Sequence, residues 1–170
     1  MAKAKGPIKV RFYRFRNKLK DKCAGLGGGD GIGISAEAMA KAEAALEEMA
    51  EDYPDWVQGI IHKLSEQHSR CVDTPELRHE FFEVISHIAH DLKGQGGTFG
   101  YPLITDFADS LYEFTTAKTE LTNNHVEIVK SHIDSMRAVI KNRVSGDGGD
   151  TGAALKQGLH QAIEKYTAVE

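Results

Sequence analysis

Apolar positions recur along this chain at spacings of three and four, and the every-second-residue alternation of strands is nearly absent. Met39, Ala42, Leu46 and Met49 follow Ser35, whose hydroxyl can cap a helix N-terminus. A second helix is expected from near Pro54, with Val57, Ile60, Ile61 and Leu64. Thr74-Pro75-Glu76 announces a third. It offers a capping hydroxyl, a proline where no N–H is needed, and an acid at the positive end of the helix dipole. This helix should run to about Gly97 and break at Gly100. Pro102 opens a fourth, with Leu103, Phe107, Leu111 and Phe114 on one stripe. Asn123 is expected to cap a fifth, carrying Val126, Val129, Ile133, Met136, Ile140 and Val144. A last helix with Leu155, Leu159, Ile163 and Tyr166 follows the glycine-rich break at Gly146 to Gly149.

These elements predict an all-α fold. Short connections between consecutive long helices favour antiparallel neighbours, hence an up-down helical bundle over residues 31–145. Residues 1–30 form a basic arm with a glycine-rich linker, and residues 146–170 a second linker and the C-terminal helix. The chain of 170 residues, 41% of them hydrophobic, suits one domain with a real core. No apolar run reaches membrane-span length, and no signal-peptide pattern opens the chain. Cys23 and Cys71 match no metal or redox spacing, which points to the reducing cytoplasm.

Charge changes the picture at one end only. Residues 1–22 hold nine Lys/Arg and a single acid, Asp21, although the whole chain carries a net charge of −4. The body is therefore strongly acidic, which speaks against nucleic-acid binding. Within the arm, Ile8, Phe12, Phe15 and Leu19 recur at helical spacing among arginines and lysines. Such a basic amphipathic helix can lie on an anionic membrane or an acidic partner, or fold back on the acidic bundle or a second copy of it. Folding back is the favoured reading, since one short helix on a glycine leash is a weak membrane signal.

The third helix carries the candidate chemistry. On a wheel of ~100° per residue, Leu77, Phe81, Val84, Ile85, Ile88 and Leu92 share one sector, the expected core face. His90 lies about 190° from the middle of that sector, with Glu83, Ser86, His87, Lys93, Gly94 and Gly97 around it on the polar side. An imidazole with an ordinary pKa of ~6.5 presents a nucleophilic nitrogen near neutral pH. Lys93, one turn on, can offset phosphoryl charge, and Gly94 and Gly97 clear space for a partner's backbone.

The run Ala89-His90-Asp91-Leu92-Lys93-Gly94-Gln95-Gly96-Gly97-Thr98-Phe99-Gly100 resembles the signature of histidine phosphotransfer (HPt) domains: H-x-x-K-G, small residues, and a glycine ten positions after the histidine. Its G-T-F-G ending is similar to the phosphotransfer domain of chemotaxis histidine kinases. The likeness is dense over residues 89–114 and agrees with the helix order over 35–145. It implies a four-helix bundle of the HPt type, here with additional N- and C-terminal helices. It also implies a carrier that shuttles a phosphoryl group between a hybrid histidine kinase or receiver and a response-regulator receiver aspartate. His90 would be phosphorylated, Lys93 the phosphoryl-side cation, and Gly94 the small contact for a docking receiver. Many members place Glu or Gln 22 residues after the histidine to orient the imidazole. Here that position is Tyr112, whose hydroxyl can donate or accept, followed by Glu113.

No nucleotide-binding glycine pattern is present, so the expected role is a phosphoryl carrier rather than an enzyme, with no cofactor of its own and Mg²⁺ supplied by the receiver. Two other readings stand beside it. One is a non-phosphorylated helical adaptor that binds receivers. The other is a metal protein using His79, Glu83 and His87 at i, i+4 and i+8. Those three face outward on the wheel, and no Glu-x-x-His recurs on two helices, so no metal site is expected. His125 and His132 are read as ordinary polar-face residues.

Overall fold

The computed structural model describes residues 35–117 and 121–168. The basic arm and its proposed amphipathic helix lie outside them. The chain divides into two compact units, residues 1–43 and 44–170, and the packing described here belongs to the second. Every regular element among the described residues is helical: α1 (Ala36–Asp73), a short 3-10 turn (Pro75–Leu77), α2 (Arg78–Lys93), α3 (Pro102–Thr116), α4 (Asn123–Lys141) and α5 (Gly149–Thr167). None of these helices is long and apolar enough to cross a membrane.

α1 differs from expectation, because the two predicted helices are one. It begins at the predicted cap, where the Ser35 hydroxyl accepts from the Ala38 amide at 3.1 Å. It then runs through Pro54, which lies inside the helix and is buried. An interior proline costs about 3 kcal/mol. That cost is offset by burial on both sides of it, at Tyr53, Val57, Ile61 and Leu64. Met39, Leu46 and Met49, expected as core, are exposed.

α2 packs along α3, α3 along α4, and α4 along α5. All five helices contribute to one core, from Val57 and Leu64 through Ile85, Phe107 and Met136 to Leu159. Arg78 locks the corner where α1 ends. Its guanidinium donates to the carbonyls of Cys71 (2.9 Å) and Leu121 (3.2 Å) and to Asn123 Oδ1 (2.6 Å). The cap of α4 is Thr122, one residue before the predicted Asn123, in a reciprocal arrangement with His125.

The histidines of α4 are a second correction: His125 and His132 are buried, not on a polar face. Hydrogen bonding makes this tolerable for His132. Its Nδ1 lies 2.8 Å from the Ile128 carbonyl, which can only accept, so Nδ1 carries the proton. Nε2 then accepts from the Ser110 hydroxyl at 3.0 Å, joining α4 to α3. Burial pushes the imidazole down to about 4 from its ordinary 6.5. Because the unfolded chain binds this proton more tightly, stability is complete above pH 6.5 and is lost as pH falls toward 4. The difference corresponds to about 3 kcal/mol. Thermal melts across that window should therefore show a steep loss in the wild type and a shallower one in His132→Leu.

Candidate functional site

The core face of α2 is turned from the expected one. Phe82, Ile85, Ala89 and Leu92 are buried, whereas Leu77 and Val84 are exposed. On the same wheel this moves the core sector by roughly 70°, leaving His90 about 120° from its centre. His90 is exposed, but at the flank that faces α3 rather than opposite the core.

There it meets Tyr112, the rings 5.1 Å apart at their centroids and inclined by 53°. The Lys93 ammonium sits 4.4 Å over the same tyrosine ring. It also donates to Asp109 Oδ1 at 2.8 Å. Asp109 and Tyr112 stand one turn apart on α3, as His90 and Lys93 do on α2, so two adjacent helix faces compose the cluster. The hydrogen bond to Asp109 is the main reason the Lys93 pKa is raised, and Lys93 stays fully cationic at neutral pH. Sequence reasoning missed Asp109. Its only signal was the i, i+3 spacing to Tyr112, which does not reveal which α2 residue lies opposite.

α2 ends at Lys93, earlier than expected, and residues 94–100 form a run of turns. Gly94 keeps right-handed helical angles (φ −73°, ψ −14°), and a Cβ there would meet only the Asp91 carbonyl, at 3.7 Å. Gly97 is exposed, and its amide donates to the Thr105 hydroxyl at 3.0 Å. Gly96 is the structural glycine. It is buried, its carbonyl accepts from the Tyr101 amide at 2.8 Å, and a Cβ would fall 2.7 Å from the Tyr101 carbonyl. Gly100 closes the run at φ +83°, where glycine is favoured. Its carbonyl accepts from the Gly146 amide at 2.8 Å. Tyr53 of α1 stacks on Phe99 (4.8 Å) and contacts Tyr101 (5.6 Å), fixing the turns from the other side.

Glu83, Ser86 and His87 are not part of this cluster. They lie farther back along α2, lining a separate groove of about 420 Å³ with His79, Phe82, Thr115 and Thr116. Among the described residues no three His, Cys, Asp or Glu side chains are gathered in a way that could hold a metal ion. The cluster at the end of α2 thus offers an accessible imidazole, a tethered cation and an aromatic wall. Such a set can carry a transferable group on the imidazole and balance its charge. No family model, curated protein or solved structure matches the chain.

Proposed function

We propose that this chain is a histidine phosphotransfer protein, carrying a phosphoryl group on His90 between a histidine kinase or receiver and a response-regulator receiver aspartate. The observation that carries the reading is the exposed His90 of an H-x-x-K-G run, with Tyr112 against its ring and Lys93 over the same tyrosine. Helices α1 to α4 would be the antiparallel four-helix bundle of such a carrier. Loading is a displacement at phosphorus: an imidazole nitrogen attacks, the aspartyl oxygen leaves as carboxylate, and the ring's remaining N–H proton goes to solvent. Mg²⁺ comes with the receiver and stabilises the phosphoryl group there. Gly94 and Gly97 leave room for the receiver's loop, and Tyr112 holds the imidazole by its ring. The chain is a carrier rather than an enzyme in this role, and its place is the cytoplasm, where receivers reside.

The test is labelling. ATP alone should leave the protein unlabelled, whereas a phosphorylated receiver with Mg²⁺, or a cognate hybrid kinase with ATP, should label it. The label should be lost in acid and survive base, as a phosphoramidate does. One observation favours a second reading, a receiver-binding adaptor that is not phosphorylated: Lys93 is already paired with Asp109. Absence of acid-labile phosphate under every donor would select it.

Lys93→Met should slow transfer in both directions by roughly tenfold, since a cation beside the moving phosphoryl group is lost. Thermal stability should hardly change, because a partly exposed pair contributes little. Rates equal to wild type would reduce Lys93 to an ordinary surface residue.

A further inference from the structure

We propose that Asp109 is a positioning residue that competes with the phosphoryl group for Lys93 and thereby raises the tendency of phosphorylated His90 to give the group up. The proposal rests on the reading of His90 as the phosphoryl acceptor. Its basis is the cluster itself. Lys93 Nζ is 2.8 Å from Asp109 Oδ1 and 4.4 Å from the centre of the Tyr112 ring, whose other neighbour is His90 at 5.1 Å. The Tyr112 ring is thus the common neighbour of the imidazole and of a cation whose charge is already engaged by Asp109.

A phosphoryl group on His90 brings close to two negative charges to this place. Lys93 then has two anions to serve. Turning wholly to the phosphoryl group leaves Asp109 unpaired beside it, while staying with Asp109 leaves the phosphoryl group less neutralised. Either arrangement places the loaded state higher in free energy than it would be with Lys93 uncommitted. The carboxylate acts through the lysine, without touching the reacting atoms. Its counterweight also explains why a cation at this position does not trap the group. The chemistry needs a carrier that releases what it takes, and Asp109 tunes that balance.

The test uses the full chain and potassium phosphoramidate as donor. The imidazole nitrogen attacks phosphorus, the N–P bond to ammonia breaks, and ammonia leaves with the proton shed by the ring. At fixed ammonium concentration the loaded fraction of His90 reports the equilibrium. Asp109→Asn should shift it toward phosphohistidine by about threefold, the effect of one charge removed near a surface group. The same variant should lower the second pKa of the phosphoryl group, followed by phosphorus NMR. Asp109→Glu should restore wild-type values. In a Lys93→Met background, Asp109→Asn should lose most of its effect, which separates action through the lysine from direct repulsion. An unchanged equilibrium in Asp109→Asn overturns the proposal and leaves the carrier reading intact. An equal shift with and without Lys93 overturns it as well. Failure of the wild type to take acid-labile phosphate on His90, with labelling found at another histidine, overturns both. A circular dichroism melt of each variant confirms that the helices are intact, and Asp109 is exposed enough for the substitutions to be tolerated.

Discussion

His90→Gln is expected to abolish acid-labile labelling entirely while leaving helical content and melting temperature close to wild type. The side chain is exposed, and its contact of note is the Tyr112 ring, which glutamine can still cover in part. Burial energetics therefore give no reason for the fold to suffer. The chemistry has no substitute, because a carboxamide nitrogen is not a nucleophile. His87 is one turn back and exposed, but it lines the other groove, away from Lys93 and Tyr112. Mass spectrometry of the labelled protein under basic conditions locates the phosphate. Label persisting on His87 in the variant would sink the assignment.

The second large effect separates two glycines that sit two residues apart. Gly96→Ala should destabilise the protein by roughly 2 kcal/mol, the cost of forcing a methyl into packed surroundings. That methyl would lie 2.7 Å from the Tyr101 carbonyl and 2.8 Å from the Thr105 amide, both backbone atoms that cannot swing aside. Gly94→Ala should instead be neutral or stabilise by up to about 1 kcal/mol, since its angles suit any residue and the added carbon makes only an ordinary contact with the Asp91 carbonyl, at 3.7 Å. Gly94→Leu should also fold. Both Gly94 variants should weaken transfer, leucine by roughly tenfold or more, equivalent to at least 1.4 kcal/mol of lost docking. Melts and transfer rates on the three proteins decide it. Normal transfer by Gly94→Leu would mean that the receiver does not approach over this position.

Much of this architecture could be read from the chain, and the failures share a cause. Helix starts marked by local chemistry were legible: Ser35 caps α1 and Pro102 opens α3 as expected. Pro54 was misread as a beginning because the same residue can start a helix or sit within one, and only the burial around it decides. The core face of α2 was misplaced because Leu77 and Val84 look apolar but are exposed, while Ala89 is small yet fully buried. His132 was invisible as a core residue because its partners, Ser110 and the Ile128 carbonyl, are set by packing rather than by pattern. At the site, His90, Lys93 and Tyr112 were legible through spacing and likeness. Asp109 was not, because the register between two helices is a tertiary fact.

The hydrogen bond from the Gly146 amide to the Gly100 carbonyl closes a ring of chain that contains α3 and α4 whole. Such a closure carries an entropic cost that is offset only after the two helices have docked on each other. The turns that follow α2 are therefore anchored to the segment beyond α4, and that anchorage depends on the docked pair of helices between them.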